Sequence, residues 1–277
     1  MIVYRKTFEN VKKSNINFPV EDQYYTSDNE AIVADGITRD PEGVDDISSC
    51  PLTTYIERYP KPSGAELVAK AICASFPKTK GSLKERLVEC NKEVKRINDK
   101  YIKSCDYLTN DYYGAVASCV HIQNNVLDYA YVCDCGVIVY DKNGNVKFQT
   151  TDDKEAISDP YISKNGFEWS IPKDRATVRK TYRNNINNIQ DGKCVSFGAL
   201  TGEDSFKYFI KTGQIKLEEG DRIVVHSDGF IDYLNEKDFI DIILDFDKEK
   251  FENYIKDKSS SNGNIYGREK TIILFKN

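Results

Sequence analysis

No run of apolar residues in this 277-residue chain comes near the roughly 20 that a membrane-crossing helix requires, which excludes an integral helical membrane protein. Positive charge is not in excess either. Lys and Arg number 39 against 44 Asp and Glu, a net charge of −5, so nothing argues for a nucleic-acid groove or for binding to an anionic membrane. Cysteine is present but not dense. The eight cysteines are scattered, whereas a secreted disulfide scaffold is smaller and richer in them, so they are expected as reduced, mostly buried thiols of a cytoplasmic protein. The opening Met1–Phe8 is too short and too polar for a signal peptide. There is no internal repeat and no linker, and the expectation is one domain over residues 1–277. What is present is enough for a core. Apolar residues make up 40% of the chain and charged residues 30%, which excludes wholesale disorder.

The periodicity predicts strands at Ile2–Phe8, Asp22–Thr26 and Ala31–Ala34, then a polar loop over 37–62. Ser63 is placed to cap a helix running to about Phe76, and a second helix is expected from about Ser82 to Lys103. Strands follow at Tyr113–Ile122, Val126–Cys133, Val137–Tyr140 and Val146–Phe148, the last after the hairpin signal Asn143-Gly144. A helix near Asp174–Arg183 precedes strands at Lys193–Phe197, near Lys207–Ile210 and at Arg222–His226. Helices at about Phe230–Leu234, Glu236–Leu244 and Lys248–Lys256 and a last strand at Thr271–Phe275 close the chain. Strand runs kept apart from helix pairs indicate an α+β class rather than βαβ winding.

One pattern recurs: an apolar strand ending in Asp with Gly close behind. It stands at Ala31–Asp35-Gly36, at Ile223–Asp228-Gly229 and, more loosely, at Ala130–Asp134-Cys-Gly136, with Glu21-Asp22 just ahead of another strand. Asp-Gly is a common turn dipeptide, and a single copy reads as a turn. Several together place carboxylates on one sheet edge, where they repel unless a cation sits among them. Oxygen-only donors favour hard ions such as Mg²⁺ or Mn²⁺.

These residues resemble the metal-dependent serine/threonine phosphatases of the phosphatase 2C type. Val20-Glu21-Asp22 is similar to the early acidic motif of that family, and Val33-Ala34-Asp35-Gly36 to its metal-bridging motif. Gly114–Ser118 and Tyr129–Cys135 resemble its central strands and turn. Gly220–Asp232 is the most specific match, and Gly267–Leu274 resembles the last metal motif. The resemblance spans nearly the whole chain. It implies an antiparallel β-sandwich flanked by helix pairs, in αββα layers, with two Mn²⁺ or Mg²⁺ ions, and a position for a third, in a cleft. Asp35 and Asp228 would be the catalytic ligands. Gly36 would add its carbonyl, Glu21 or Asp22 would act directly or through waters, and Asp134 would serve the further, weaker ion. A deprotonated water between the ions would attack phosphorus in line, and phosphorylated proteins would be the partners of a monomer.

Three departures bear on activity. Asn17 stands where the family carries a phosphate-gripping Arg, leaving Lys12, Lys13 or Arg39 to substitute. Cys133 replaces a Gly. Arg268 takes the first position of the last acidic motif, so either Glu269 reaches the ion or Arg268 points at the substrate phosphate; Glu269 is favoured as the ligand. A rival reading follows: a weakly active or inactive member that binds phosphoproteins or regulates a partner. Other signals are set aside. Cys90-x₅-Arg96 has cysteine-phosphatase spacing but no Gly-rich loop, and it runs through an amphipathic pattern. Cys133-x-Cys135 is too close for common zinc spacing. His226, Ser227 and Asp228 are adjacent strand residues that face alternate ways, so they are no triad.

Overall fold

The computed structural model describes residues 1–13 and 18–277. Among the described residues, twelve strands form in chain order: β1 (Ile2–Phe8), β2 (Asp22–Thr26), β3 (Glu30–Gly36), β4 (Ala115–Gln123), β5 (Val126–Val132), β6 (Gly136–Tyr140), β7 (Val146–Gln149), β8 (Ile189–Gln190), β9 (Lys193–Cys194), β10 (Lys211–Lys216), β11 (Arg222–His226) and β12 (Lys270–Lys276). The α-helices are α1 (Leu52–Glu57), α2 (Gly64–Ser75), α3 (Leu83–Tyr101), α4 (Asp159–Lys164), α5 (Pro172–Tyr182), α6 (Lys237–Leu244) and α7 (Lys248–Ser261).

Ten strands make two antiparallel sheets of five, in the orders β1-β12-β11-β6-β7 and β10-β5-β4-β3-β2. The side-chain alternation shows why the central strands read as unbroken apolar runs. Val137 and Val139 of β6, Ile223 and Val225 of β11 and Ile273 and Phe275 of β12 face the core between the sheets. Their neighbours Ile138, Tyr140, Val224, Ile272 and Leu274 face a second core beneath α6 and α7, with Phe239, Phe251 and Ile255. Both faces of these strands are buried, so both residues of each alternating pair must be apolar. On the other sheet, Val68, Ile72, Leu87 and Val94 of α2 and α3 join the main core. The result is the four-layer αββα arrangement that the resemblance implied.

The capping signals act as expected. Ser63 Oγ accepts from the Glu66 amide at 3.2 Å, and Ser82 with Glu85 closes a full capping box on α3. Some expected elements differ. The strand expected at Lys193–Phe197 stops at Cys194. The one placed near Lys207–Ile210 is a 3₁₀ helix over Asp204–Tyr208, followed by β10. β10 is polar and contains Gly213, because it is an edge strand largely open to solvent, so it carries little apolar pattern to read. Phe230–Leu234, expected as a helix, lies mostly within a 3₁₀ helix over Asp228–Tyr233. The loop over 37–62 holds the short α1. Among the described residues, no helix is long and apolar enough to cross a membrane.

Candidate metal centre

The antiparallel register of β2 and β3 sets Asp22 directly opposite Asp35. Asp134 occupies the turn between β5 and β6, Asp228 follows β11, and Glu269 immediately precedes β12. These positions are all at one end of the sandwich, and the five carboxylates, together with Glu21, line one cavity of about 380 Å³. Two backbone features let the chain reach it. A Cβ on Gly36 would lie 2.7 Å from the Ala65 carbonyl oxygen at the start of α2, so only glycine fits where β3 meets that helix. Cys133 turns the chain into Asp134 with φ 65°, a left-handed conformation that glycine reaches more cheaply.

Burial dominates the electrostatics. It pushes Asp22 up to about 6, helped by the Asp228 charge, and Asp134 up to about 7, helped by Asp228 and Asp152. Glu269 is pushed up to about 8 by burial and by Asp22. Asp35 rises well above the usual carboxylate range through burial and four like-charged neighbours, of which Asp22 and Asp228 act most strongly. Asp228 is also raised by burial, against the pull of Arg268 and Lys154.

The neighbouring residues separate those aimed at the cavity from those that brace it. Glu21 Oε1 accepts hydrogen bonds from the Tyr59 hydroxyl and from Ser63 Oγ at 2.6 Å, and Oε2 accepts from Thr38 Oγ1 at 2.7 Å. Three hydroxyl donors brace this carboxylate, which also lines the cavity. Ser227 was missed by the sequence reading. Its Oγ donates to Asp22 Oδ2 at 2.6 Å and accepts from the Thr271 amide at 2.8 Å, tying β11, β12 and β2 together. Glu269 Oε1 accepts from the Glu21 and Asp22 amides at 2.7 and 2.5 Å, which commits one oxygen to backbone.

Arg268 and Glu269 both line the cavity, although alternation along a strand would let only one of them face it easily. β12 begins only at Lys270, so strict strand alternation does not govern the pair. The Arg268 guanidinium pairs with Asp228 at 3.2 Å and Asp232 at 3.0 Å. Arg39 does not line the cavity. It is buried, and its guanidinium donates to the Asp111 and Thr109 carbonyl oxygens at 2.8 and 3.2 Å, so its expected role on the substrate phosphate is corrected. Lys12 turns to Asn264, and Asn17 lies outside the described residues. Lys13 does line the cavity. Its Nζ lies 3.9 Å from the Phe18 ring centre, and burial lowers its pKa against the pull of Glu21 and Glu269. The sequence reading also missed Arg175, Arg179 and Arg183 of the α5 region, which line the same cavity. Their four-residue spacing on a helix was visible, but nothing in the sequence said which surface that helix faces.

The donors present fit hard divalent cations. They are carboxylate and carbonyl oxygens, they repel one another without a cation, and Asp134 Oδ1 is buried with no hydrogen-bond partner. Among the described residues, no group of three or more His, Cys, Asp or Glu side chains is already closed around a common ion position. The groups set aside earlier are elsewhere engaged. Cys90 is fully buried, and burial pushes its thiol up to about 11, which makes it a poor nucleophile. His226 is buried, with Nδ1 3.0 Å from the Ser227 carbonyl oxygen and its pKa lowered to about 4 by burial, so it stays neutral.

No protein-family profile matches the chain, and no curated protein is significantly similar to it in sequence. Solved structures are similar in shape. The catalytic domain of the serine/threonine protein phosphatase PstP, in complex with two manganese ions, aligns over 98% of this chain and 95% of its own, with a TM-score of 0.60 at 13% identity. The S. agalactiae serine/threonine phosphatase aligns over 100% and 99%, with a TM-score of 0.57 at 17% identity. RsbX in complex with magnesium aligns over 99% and 97%, with a TM-score of 0.52 at 14% identity. The chain therefore has the phosphatase 2C-like fold.

Proposed function

We propose that this chain is a divalent-cation-dependent phosphatase that hydrolyses phosphoserine and phosphothreonine in proteins. The observation that carries the reading is the convergence of Asp22, Asp35, Asp134, Asp228 and Glu269 on one cavity that also holds Lys13 and Arg268. Solved neighbours of the same fold bind manganese or magnesium, which supports the choice of ion here. Asp35 would bridge two cations, with Asp22, Asp228 and the Gly36 carbonyl completing their donors and Asp134 serving a further ion. Bound cations would supply Lewis acidity to a phosphoryl group and lower the pKa of water. The chain's own residues do the rest. Ser227 holds Asp22 in orientation, and Glu21 fixes the loops carrying Thr38, Tyr59 and Ser63. Lys13 and Arg268 offer positive charge beside the carboxylates, where substrate phosphate oxygens would gain most from it. The expected result is hydrolysis of a generic phosphate ester that requires added Mn²⁺ or Mg²⁺ and stops with chelator. Turnover that survives thorough chelation would overturn the reading.

The Arg268–Asp228 pair favours a second reading, a weakly active module that binds phosphoproteins or regulates a partner, because a tethered cation competes with an ion for Asp228. Arg268→Ala is expected to tighten apparent Mn²⁺ affinity about tenfold, by freeing a carboxylate from a charge-assisted bond. Glu269→Gln is expected to weaken it. Calorimetric titration of both variants checks this. Unchanged affinity in Arg268→Ala would show that the pair does not restrain the site, and unchanged affinity in Glu269→Gln would remove that residue from it.

A further inference from the structure

The cavity has a second charged region that phosphoester hydrolysis at the carboxylates does not use. Arg175 and Arg179 of α5 and Arg183 at its end are spaced four residues apart, so they stand on one helix face. Arg175 and Arg179 each reach one oxygen of Asp40 at 2.8 Å, and Arg183 holds Asp111 in a two-pronged pair at 2.7 and 3.0 Å. Burial pushes Asp111 up, but Arg183 and Arg179 outweigh it and hold its carboxyl below the usual range. Arg39 packs against the same Asp111 segment. Glu203 adds a further pull on Arg183, so the three arginines stand among Asp40, Asp111 and Glu203. Donors are left over. Arg183 is 4% exposed, and its Nε is buried with no hydrogen-bond partner. Arg175 uses one N–H on Asp40 and another on the Trp169 carbonyl oxygen, out of five. The cations that act most on the acidic cluster are different ones, Arg268 and Lys154 on Asp228 and Lys154 on Asp134.

We infer that the α5 arginines form a second oxyanion subsite, which takes a carboxylate or a further phosphoryl group carried by the substrate beside the scissile phosphoester. A guanidinium fork matches either group in two-pronged geometry. This rests on the phosphatase reading for the identity of the substrate, but not for the existence of the subsite. Arg179 and Arg183 are buried in ion pairs, and their loss would threaten folding; Arg175 is only partly buried and is the residue to change.

The test uses three phosphoserine peptides, one with neutral flanks, one with flanking Asp and Glu, and one with a second phosphoserine. The protein is expected to favour one or both charged peptides about tenfold in kcat/KM, through KM. Arg175→Gln should erase that preference. Equal use of all three peptides, or a preference that persists in Arg175→Gln, would overturn the subsite. The acidic and doubly phosphorylated peptides separate the two sources of the oxyanion. If no phosphoester is turned over with Mn²⁺ or Mg²⁺, the phosphatase reading fails by itself. Calorimetric binding of the same peptides in chelator then decides the subsite: tighter binding of a charged peptide, lost in Arg175→Gln, supports it, and binding independent of Arg175 overturns it.

Discussion

Asp35→Asn is expected to lower cation-dependent phosphoester hydrolysis by about a hundredfold or more, roughly 2.7 kcal/mol of barrier. Asp35 stands opposite Asp22 across the β2–β3 ladder, where the charges of Asp22, Asp228, Asp134 and Glu269 all act on it. An amide there keeps the shape but removes the negative charge that would hold two cations close together. The fold should survive. Burial and like-charged neighbours already hold Asp35 well above the usual carboxylate range, so a neutral amide of the same size costs the cation-free fold little. Steady-state rates with a chromogenic phosphate ester across a Mn²⁺ titration measure the effect, with circular dichroism as the control for folding. Cys90→Ser is the companion variant. Its thiol is fully buried beneath α2, where Sγ lies 3.8 Å from the Ile72 carbonyl oxygen, and its activity is expected to match the parent. A parent-like rate in Asp35→Asn, or loss of turnover in Cys90→Ser, would assign the chemistry elsewhere.

Cation-free protein is expected to lose stability as pH rises from about 4 to 8, and a divalent cation is expected to restore it at the upper end. The sign follows from the carboxyls. Asp22, Asp134 and Glu269 are pushed up to about 6, 7 and 8, from ordinary values of 3.8, 3.8 and 4.5. Within that window the folded state binds more protons than the unfolded chain, so raising the pH favours unfolding. A displacement of one pH unit in one pKa corresponds to about 1.4 kcal/mol. A melting temperature lower by about 5 °C or more at pH 8 than at pH 5 is therefore expected in chelator. Mn²⁺ or Mg²⁺ replaces the protons as the neutralising charge, so saturating cation at pH 8 should recover most of the difference. Scanning calorimetry at the two pH values, with chelator and with cation, tests this. A melting temperature that does not fall with pH in chelator would mean that the five carboxylates are not held together in solution.

Much of the architecture was legible because it rests on short-range patterns. The central strands are apolar on both faces, Ser63 and Ser82 mark their helix starts, and each Asp-Gly or Asp-x-Gly step ends a strand, so α+β layering and a carboxylate-rich sheet edge follow from spacing alone. β10 and the short α1 were not legible. One is a polar edge strand, and the other is a six-residue helix with no buried residue, so neither carries the burial that writes periodicity into a sequence. Within the site, the sequence supplied the acidic residues but not their partners. That Glu21 is occupied by three hydroxyls, that Ser227 braces Asp22, that Arg39 turns to backbone carbonyls and that the α5 arginines enter the cavity are facts about residues far apart in the chain. Asp22 and Ser227, for example, are 205 residues apart. A residue's type fixes which bonds it can make, but only the packing of sheets and helices fixes which partner is within reach. The sequence by itself determined the donor chemistry of this site and the edge on which it sits; the tertiary structure decided which donors remain free to use it.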